Sequence, residues 1–286
     1  MGAASLTNRE NTVTFISYAQ NFEDIRLWRA LKYFEKGFYI DVGANHPVSD
    51  SVTKAFYDRG WTGINAEPVP DYYQQLSQDR PRDINLQCAV GESADDLVFY
   101  GVPDTGLSTL DPTVAQQHID AGMDVRTTTV KSRTLTSICE QYAQDRTIHF
   151  LKIDVEGHEE TVLRGMDFSK YRPWILLIET PWKRDQTWEK LVLDAGYESV
   201  LFDGLNTFYL AKEHLNLKGA FELPPCNLDE FQFCLGHRFS HPLTTLQVDI
   251  AAAQQRAEQA EAQLRAMQNS RAWRAVQKLR KVLRRA

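Results

Sequence analysis

From Phe38 to Ala211 the chain alternates short apolar runs with longer segments whose apolar residues recur at helical spacing. The runs Phe38 to Val42, Trp61 to Ala66, Ile84 to Val90, Ile148 to Val155 and Trp174 to Glu179 have the length and composition of strands buried in a sheet. Helical patterns fall between and around them, over 51–59, Asp71 to Gln78, 134–143, from Glu159 onward, and over 185–195. Ahead of the first run, Asn21 to Phe34 places Phe22, Ile25, Leu27, Trp28, Leu31 and Phe34 on one face, with Glu23 and Asp24 in the first turn. That is the pattern of an amphipathic helix packed on a sheet. Crossover helices are what join parallel strands, so the alternation predicts an α/β fold with a mostly parallel sheet.

Two regions depart from the alternation. Leu97 to Tyr100 and Arg126 to Val130 read as edge strands flanking a long loop, Gly106-Leu107-Ser108-Thr109. Tyr197 to Phe202 and Thr207 to Ala211, joined by the turn Asp203-Gly204-Leu205-Asn206, read as a closing hairpin with an antiparallel last strand, an antiparallel edge on the parallel sheet. Residues 1–14 read as a loose, polar lead-in, and 15–236 as the folded domain.

Beyond the proline-containing stretch 224–242 the composition turns to Ala, Gln, Glu and Arg, without Gly or Pro. Leu246, Ile250, Ala253, Ala257, Ala260, Leu264 and Met267 alternate at four- and three-residue steps, the seam of a short coiled coil. The phase slips at Trp273, Val276, Leu279 and Leu283, among seven Lys/Arg between Arg271 and Arg285 with no acid. Residues 237–286 are therefore expected to form a projecting helix ending in a basic amphipathic segment. Such a helix suits self-association, a partner enzyme's helix, or an anionic membrane surface.

The net charge of −6 is the balance of this basic tail and a strongly acidic body, which argues against a nucleic-acid groove. No apolar run has the length of a membrane span, and no signal-peptide core follows the N-terminus, so a cytoplasmic location is expected. Cys88, Cys139, Cys226 and Cys234 are scattered without a C-x-x-C pair and read as reduced thiols.

The chemistry is concentrated where apolar runs end. Asp41-Val42-Gly43-Ala44-Asn45 closes the first run, and Ala66-Glu67-Pro68 closes the second about 25 residues later. In a nucleotide-binding βαβ unit the first loop lets backbone N–H groups approach the ligand, and the second acid accepts from ribose hydroxyls. A pyrophosphate calls for more glycine than the single Gly43 and would be repelled by Asp41. An amine-bearing cofactor such as S-adenosylmethionine suits the loop better. Lys152-Ile153-Asp154-Val155-Glu156-Gly157-His158 and Ile178-Glu179-Thr180 close the fourth and fifth runs, so Asp41, Glu67, Asp154 and Glu179 are expected to converge on one crevice. For methyl transfer to an alcohol, His158 fits a general base, while Asp154, Glu156 and Glu179 fit an oxygen-rich Mg²⁺ or Mn²⁺ site.

Taken in order, Tyr18-Ala19-Gln20-Asn21-Phe22-Glu23-Asp24, Ile40-Asp41-Val42-Gly43-Ala44-Asn45, Ala66-Glu67-Pro68, Ala89-Val90-Gly91, Leu107-Ser108-Thr109 and Lys152-Ile153-Asp154-Val155-Glu156-Gly157 resemble the signature segments of FkbM-type S-adenosylmethionine-dependent O-methyltransferases. The resemblance spans about residues 15–236. It implies a Rossmann-like class I methyltransferase sheet and methylation of a hydroxyl; beside it, Gln20, Asp41, Gly43, Asn45 and Glu67 are read as cofactor-binding and Asp154, Glu156, His158 and Glu179 as the reaction centre. The implied acceptor is a hydroxyl on a sugar, in a bacterial surface polysaccharide or O-antigen, or on a polyketide or other small molecule. The tail, outside the resemblance, is similar to the basic ends of surface-polysaccharide enzymes, which suggests a glycosyltransferase partner or the inner membrane face. Two other classes fit parts of the sequence: a NAD-dependent sugar-modifying enzyme, disfavoured by the single glycine, and a cofactor-binding interaction module assembled through its coiled coil.

Overall fold

The computed structural model describes residues 14–103, 105–180 and 187–240, and parts of the stretch 250–273. The chain divides into two compact units, Met1–His237 and Arg238–Ala286. The first unit is built on a seven-stranded sheet. Its parallel half comprises β2 (Phe38–Val42), β3 (Thr62–Ala66), β4 (Ile84–Leu86), β8 (Phe150–Ile153) and β9 (Ile175–Glu179), and the hairpin β10 (Tyr197–Phe202) and β11 (Asn206–Ala211) completes it. The order across the sheet is β10-β11-β9-β8-β2-β3-β4, with β11 antiparallel to both neighbours. This is a Rossmann-like α/β sheet, mostly parallel with an antiparallel last strand.

Strand alternation sorts the core into two layers. Phe38, Ile40, Val42, Leu151, Ile153, Leu176 and Ile178 pack on one side with Leu135, Ile138 and Cys139 of α5 (Leu135–Tyr142) and Val162 and Leu163 of α6 (Glu159–Arg164). Tyr39, Phe150, Ile175 and Leu177 pack on the other with Leu27, Ala30 and Leu31 of α1 (Glu23–Leu31) and Phe56 of α2 (Lys54–Asp58). Burial on both faces accounts for the near-continuous apolar strands of the sequence. Two further helices flank the sheet, α3 (Pro70–Asp79) and α7 (Glu189–Asp194).

Several elements differ from the sequence pattern. The run Ile84 to Val90 is not one strand: the chain turns after Leu86, with Cys88 N–H donating to the Leu86 carbonyl at 3.1 Å. Its second half, β5 (Ala89–Val90), pairs instead with β7 (Arg126–Arg133). The expected edge strands of 95–133 do not border the main sheet either. β6 (Asp96–Gly101) pairs antiparallel with β7, and β5-β7-β6 form a sheet of their own. Within this region α4 (Pro112–Asp120) was not legible as apolar periodicity, but its start was written locally: Asp111 accepts from the N–H groups of Thr113 and Val114, and Pro112 opens the first turn. The closing hairpin forms the antiparallel edge of the sheet, as expected. β11 inserts between β9 and β10 and is buried along its whole length, leaving β10 outside.

A further pairing joins distant segments: β1 (Phe15–Ser17) lies parallel to β12 (Phe231–Phe233). All four cysteines are free thiols. In the second unit residues 253–257 and 264–268 are helical, while most of the basic segment Arg271 to Arg285 lies outside the described residues. Among the described residues no helix is long and apolar enough to cross a membrane.

Candidate active site

Strand register sets the site. Val42 is level with Ala66 on one side and Ile153 on the other, and Ile153 is level with Ile178. The residues that follow, Gly43, Glu67 and Asp154, therefore stand with Glu179 in a row along the carboxyl edge of four adjacent strands, where open α/β sheets bind ligands.

Gly43 occupies a left-handed conformation (φ 74°), and a Cβ built there would lie 1.9 Å from the Asp154 carbonyl oxygen. Only glycine lets the first loop pass this close to the fourth strand. Asn45 is also left-handed (φ 50°), and its N–H donates to Glu67 Oε2 at 2.8 Å, while Val69 N–H donates to Oε1 at 2.7 Å. Glu67 thus clamps the two loops together. Burial pushes its carboxyl up to about 7 in spite of these two donors.

Asp41 is placed differently from the sequence expectation. It does not end its strand: it sits one residue inside, level with Asn65 and Lys152, and is 1% exposed. Its Oδ2 accepts from Thr53 Oγ1 at 2.8 Å, and its Oδ1 lies 3.3 Å from Lys152 Nζ. Asp41 is therefore enclosed rather than presented to the crevice. Lys152, given no role in the sequence reading, is the hub here. Its ammonium donates to the Gly43 carbonyl at 2.7 Å and lies 3.2 Å from Asp154 Oδ2. Burial works against its charge, but Asp154 and Asp41 outweigh that and raise its pKa. The signal was present in the sequence as a lysine within an otherwise apolar strand beside another strand carrying a buried acid.

Asp154, Glu156 and Glu179 come together as expected, each offering an oxygen within 4.8 Å of the others. Burial, and then the Asp154 carboxylate beside it, push the Glu179 carboxyl strongly up, which keeps it protonated at neutral pH. Burial followed by Asp154 and Glu159 brings Glu156 up to about 8. The Glu156 backbone is held in a left-handed turn (φ 52°) by Thr109, whose Oγ1 donates to the Glu156 carbonyl at 2.7 Å. Thr109 is thus the anchor through which the Leu107-Ser108-Thr109 segment acts.

His158 stands apart from the carboxylates. It opens α6, its Nε2 is enclosed without a hydrogen-bond partner beside Gly91, and the one charge acting on it is that of Asp111. Burial lowers its pKa. Gly157, just before it, takes a left-handed turn (φ 99°).

Gln20 lies half-buried in a loop that Glu23 and Asp24 shape. Asp24 accepts from the N–H groups of Tyr18 and Ala19 at 2.7 and 3.2 Å, and Glu23 accepts from Asn21 N–H at 2.7 Å and Asn206 Nδ2 at 2.9 Å. Asn206 is the β11 residue level with Glu179, so the loop is tied to the same edge of the sheet. On the other flank a cavity of about 670 Å³ lies between α3 and the β6–β7 hairpin, lined in part by Pro68, Val69, Tyr72, Phe99 and Ser108.

The family model of the methyltransferase FkbM domain matches residues 41–208, more than half of the chain. The chain belongs to the FkbM methyltransferase family. The match begins within β2 and ends within β11, so the FkbM domain takes in the whole row from Gly43 to Glu179. A TehB-like SAM-dependent methyltransferase from Corynebacterium glutamicum is similar in structure at 10% identity, with a TM-score of 0.36 over 66% of this chain and 88% of that one. No curated protein matches the chain.

Proposed function

We infer that the FkbM domain is an S-adenosylmethionine-dependent O-methyltransferase acting on a hydroxyl of a sugar, in a surface polysaccharide or a related glycan. The observation that carries this reading is the row of Gly43, Glu67, Asp154 and Glu179 along one sheet edge, with Glu156 beside it. The fit to the cofactor rests on the loop: Gly43 removes the Cβ that would close it, Asn45 and Val69 hold Glu67 in place, and a carboxylate there suits ribose hydroxyls. When bound, S-adenosylmethionine supplies an electrophilic methyl group on a sulfonium. Glu67 and the backbone of Gly43 to Asn45 bind and orient it.

The acceptor hydroxyl must lose its proton, and Asp154 is the carboxylate suited to take it: it stands at the crevice edge 3.2 Å from the Lys152 ammonium, while burial and the neighbouring Asp154 favour the protonated form of Glu179. A positioned base of this kind contributes about 10²–10⁴-fold. A second reading is favoured by the spacing of the three carboxylates: an all-oxygen donor set suits Mg²⁺ or Mn²⁺, which would displace the proton from Glu179 and lower the pKa of the acceptor hydroxyl.

The tail, on its sequence, holds the enzyme at the cytoplasmic membrane face or on a partner, either a glycosyltransferase or a second copy of the chain. The deciding experiment combines calorimetry with S-adenosylmethionine and transfer of labelled methyl from it to a panel of saccharides, with and without EDTA. Binding with transfer to a saccharide hydroxyl supports the reading, and loss of transfer on chelation assigns the metal. Absence of cofactor binding, or transfer only to non-sugar acceptors, overturns it.

A further inference from the structure

The polar groups beneath the crevice form a continuous chain. Arg80, fully buried, donates from Nη2 to Thr53 Oγ1 at 2.8 Å; Thr53 donates to Asp41; Asp41 faces Lys152 Nζ; and Lys152 reaches both Gly43 and Asp154. Each link has one direction. Thr53 Oγ1 accepts from Arg80, so its single proton is free for Asp41. Asp41 accepts from Thr53 on one oxygen and meets the ammonium with the other. Lys152 has three protons, and three oxygens lie around it.

Two of those oxygens belong to functionally different parts of the site. The Gly43 carbonyl is in the loop that binds the cofactor, and Asp154 carries the reacting carboxylate. The third, on Asp41, belongs to neither. We propose that Lys152 is the positioning residue that locks the cofactor loop to the reaction centre, and that Asp41 acts only as its buried counter-ion, fixed in turn by Thr53. Gly43 and Asp154 also meet directly, because the missing Cβ of Gly43 brings its backbone against the Asp154 carbonyl. With Lys152 removed, the contact persists but nothing holds the Gly43 carbonyl and the Asp154 side chain in a common orientation. The inference rests on the cofactor assignment made above, and on nothing about the acceptor.

The test is a pair of double-mutant cycles read by calorimetric affinity for S-adenosylmethionine, with thermal unfolding as a check that each variant is folded. Lys152→Met and Asp41→Asn are each expected to weaken binding about tenfold to a hundredfold, the range for losing hydrogen bonds to a charged group. The double variant is expected to be no weaker than Lys152→Met alone, because Asp41 has no route to the cofactor except through Lys152. In the second cycle, Lys152→Met and Glu67→Gln are expected to multiply, since Glu67 meets the ligand itself. Should Lys152→Met fail to fold with two acids left unpaired, Asp41→Asn is read alone: it keeps the lysine but removes the counter-ion that fixes its ammonium against Gly43 and Asp154. With S-adenosylhomocysteine as a second probe, it must then weaken both ligands by the same factor, as expected for a displaced loop. Multiplying losses in the first cycle, or a loss in Asp41→Asn confined to the sulfonium-bearing ligand, would mean that Asp41 touches the cofactor and would overturn the inference. If the wild-type protein fails to bind S-adenosylmethionine, the cofactor assignment fails instead.

Discussion

Glu67 accepts two backbone N–H groups and is still disfavoured in its charged form by burial, so its carboxylate is held in shape before any ligand arrives. Replacing it with Ala removes the acceptor for ribose hydroxyls and also frees the Asn45 and Val69 loops. Affinity for S-adenosylmethionine should fall by about 1.5–3 kcal/mol, the value for hydrogen bonds to a charged group, as calorimetry would show. Gly43→Ala tests the neighbouring loop. A left-handed alanine costs about 1–2 kcal/mol, and the added methyl is directed at the Asp154 carbonyl. Both stability and cofactor affinity should drop, and an unchanged affinity would show that the loop does not approach the ligand. Glu179→Gln removes a carboxyl that burial, and then Asp154, hold strongly up, so that folding at pH 8 no longer has to protonate it. The variant should melt higher than wild type at pH 8 yet transfer methyl more slowly.

The elements that carry these residues were legible in the sequence to different degrees. β2, β3, β8 and β9 were plain because strands buried on both faces must be nearly all apolar, and the acids that follow them stand out by contrast. Register was not legible. One residue of offset turns Asp41 from a crevice residue into an interior ion pair, and the identity of a strand's last residue depends on partners far away in sequence. β6, β7 and α4 were misplaced or missed for a related reason: β7 is mostly exposed, so no apolar pattern marks it, and only Asp111-Pro112 announces the helix. For His158, the sequence did not show that its Nε2 would be enclosed beside Gly91. Thr109, by contrast, shows how this inserted region reaches the site. Thr109→Val deletes a buried hydrogen bond, worth about 1–3 kcal/mol of stability when one partner is left unsatisfied. It releases the Glu156 turn, so turnover should fall more than cofactor affinity. Equal losses in both would show that the insertion supports the fold and not the reaction centre.

At the scale of the molecule, the many buried acids make stability depend on pH with a definite sign. Glu23 and Glu67 are pushed up to about 7 and Glu156 to about 8, each chiefly by burial, so the folded chain binds more protons than the unfolded chain above the usual carboxyl range. Stability then falls as pH rises through those values. His149, His158 and His214 act in the opposite direction, because burial lowers them, but their contribution is complete above 6.5. Between about pH 6.5 and 8 the carboxyls act alone. The ligand-free protein should melt at a lower temperature at pH 8 than at pH 6.5, and a flat or rising profile would refute this account. Deleting residues 243–286 tests the tail: association with anionic vesicles and oligomeric state should both decrease, with methylation of a short soluble acceptor unchanged. The β1–β12 pairing has a consequence in time. Cys234 N–H donates to the Ser17 carbonyl and His237 Nε2 meets the Ala19 carbonyl, a link between residues 218 apart in the chain. Contacts of that separation form slowly, and during synthesis they cannot form until the partner has left the ribosome. β11 likewise must thread between two strands made before it. In pulsed hydrogen exchange during refolding, the Tyr18 and Ala19 amides should gain protection after those of β2 and β8. The loop holding Gln20, among the first parts of the site to be synthesised, is then the last to be fixed.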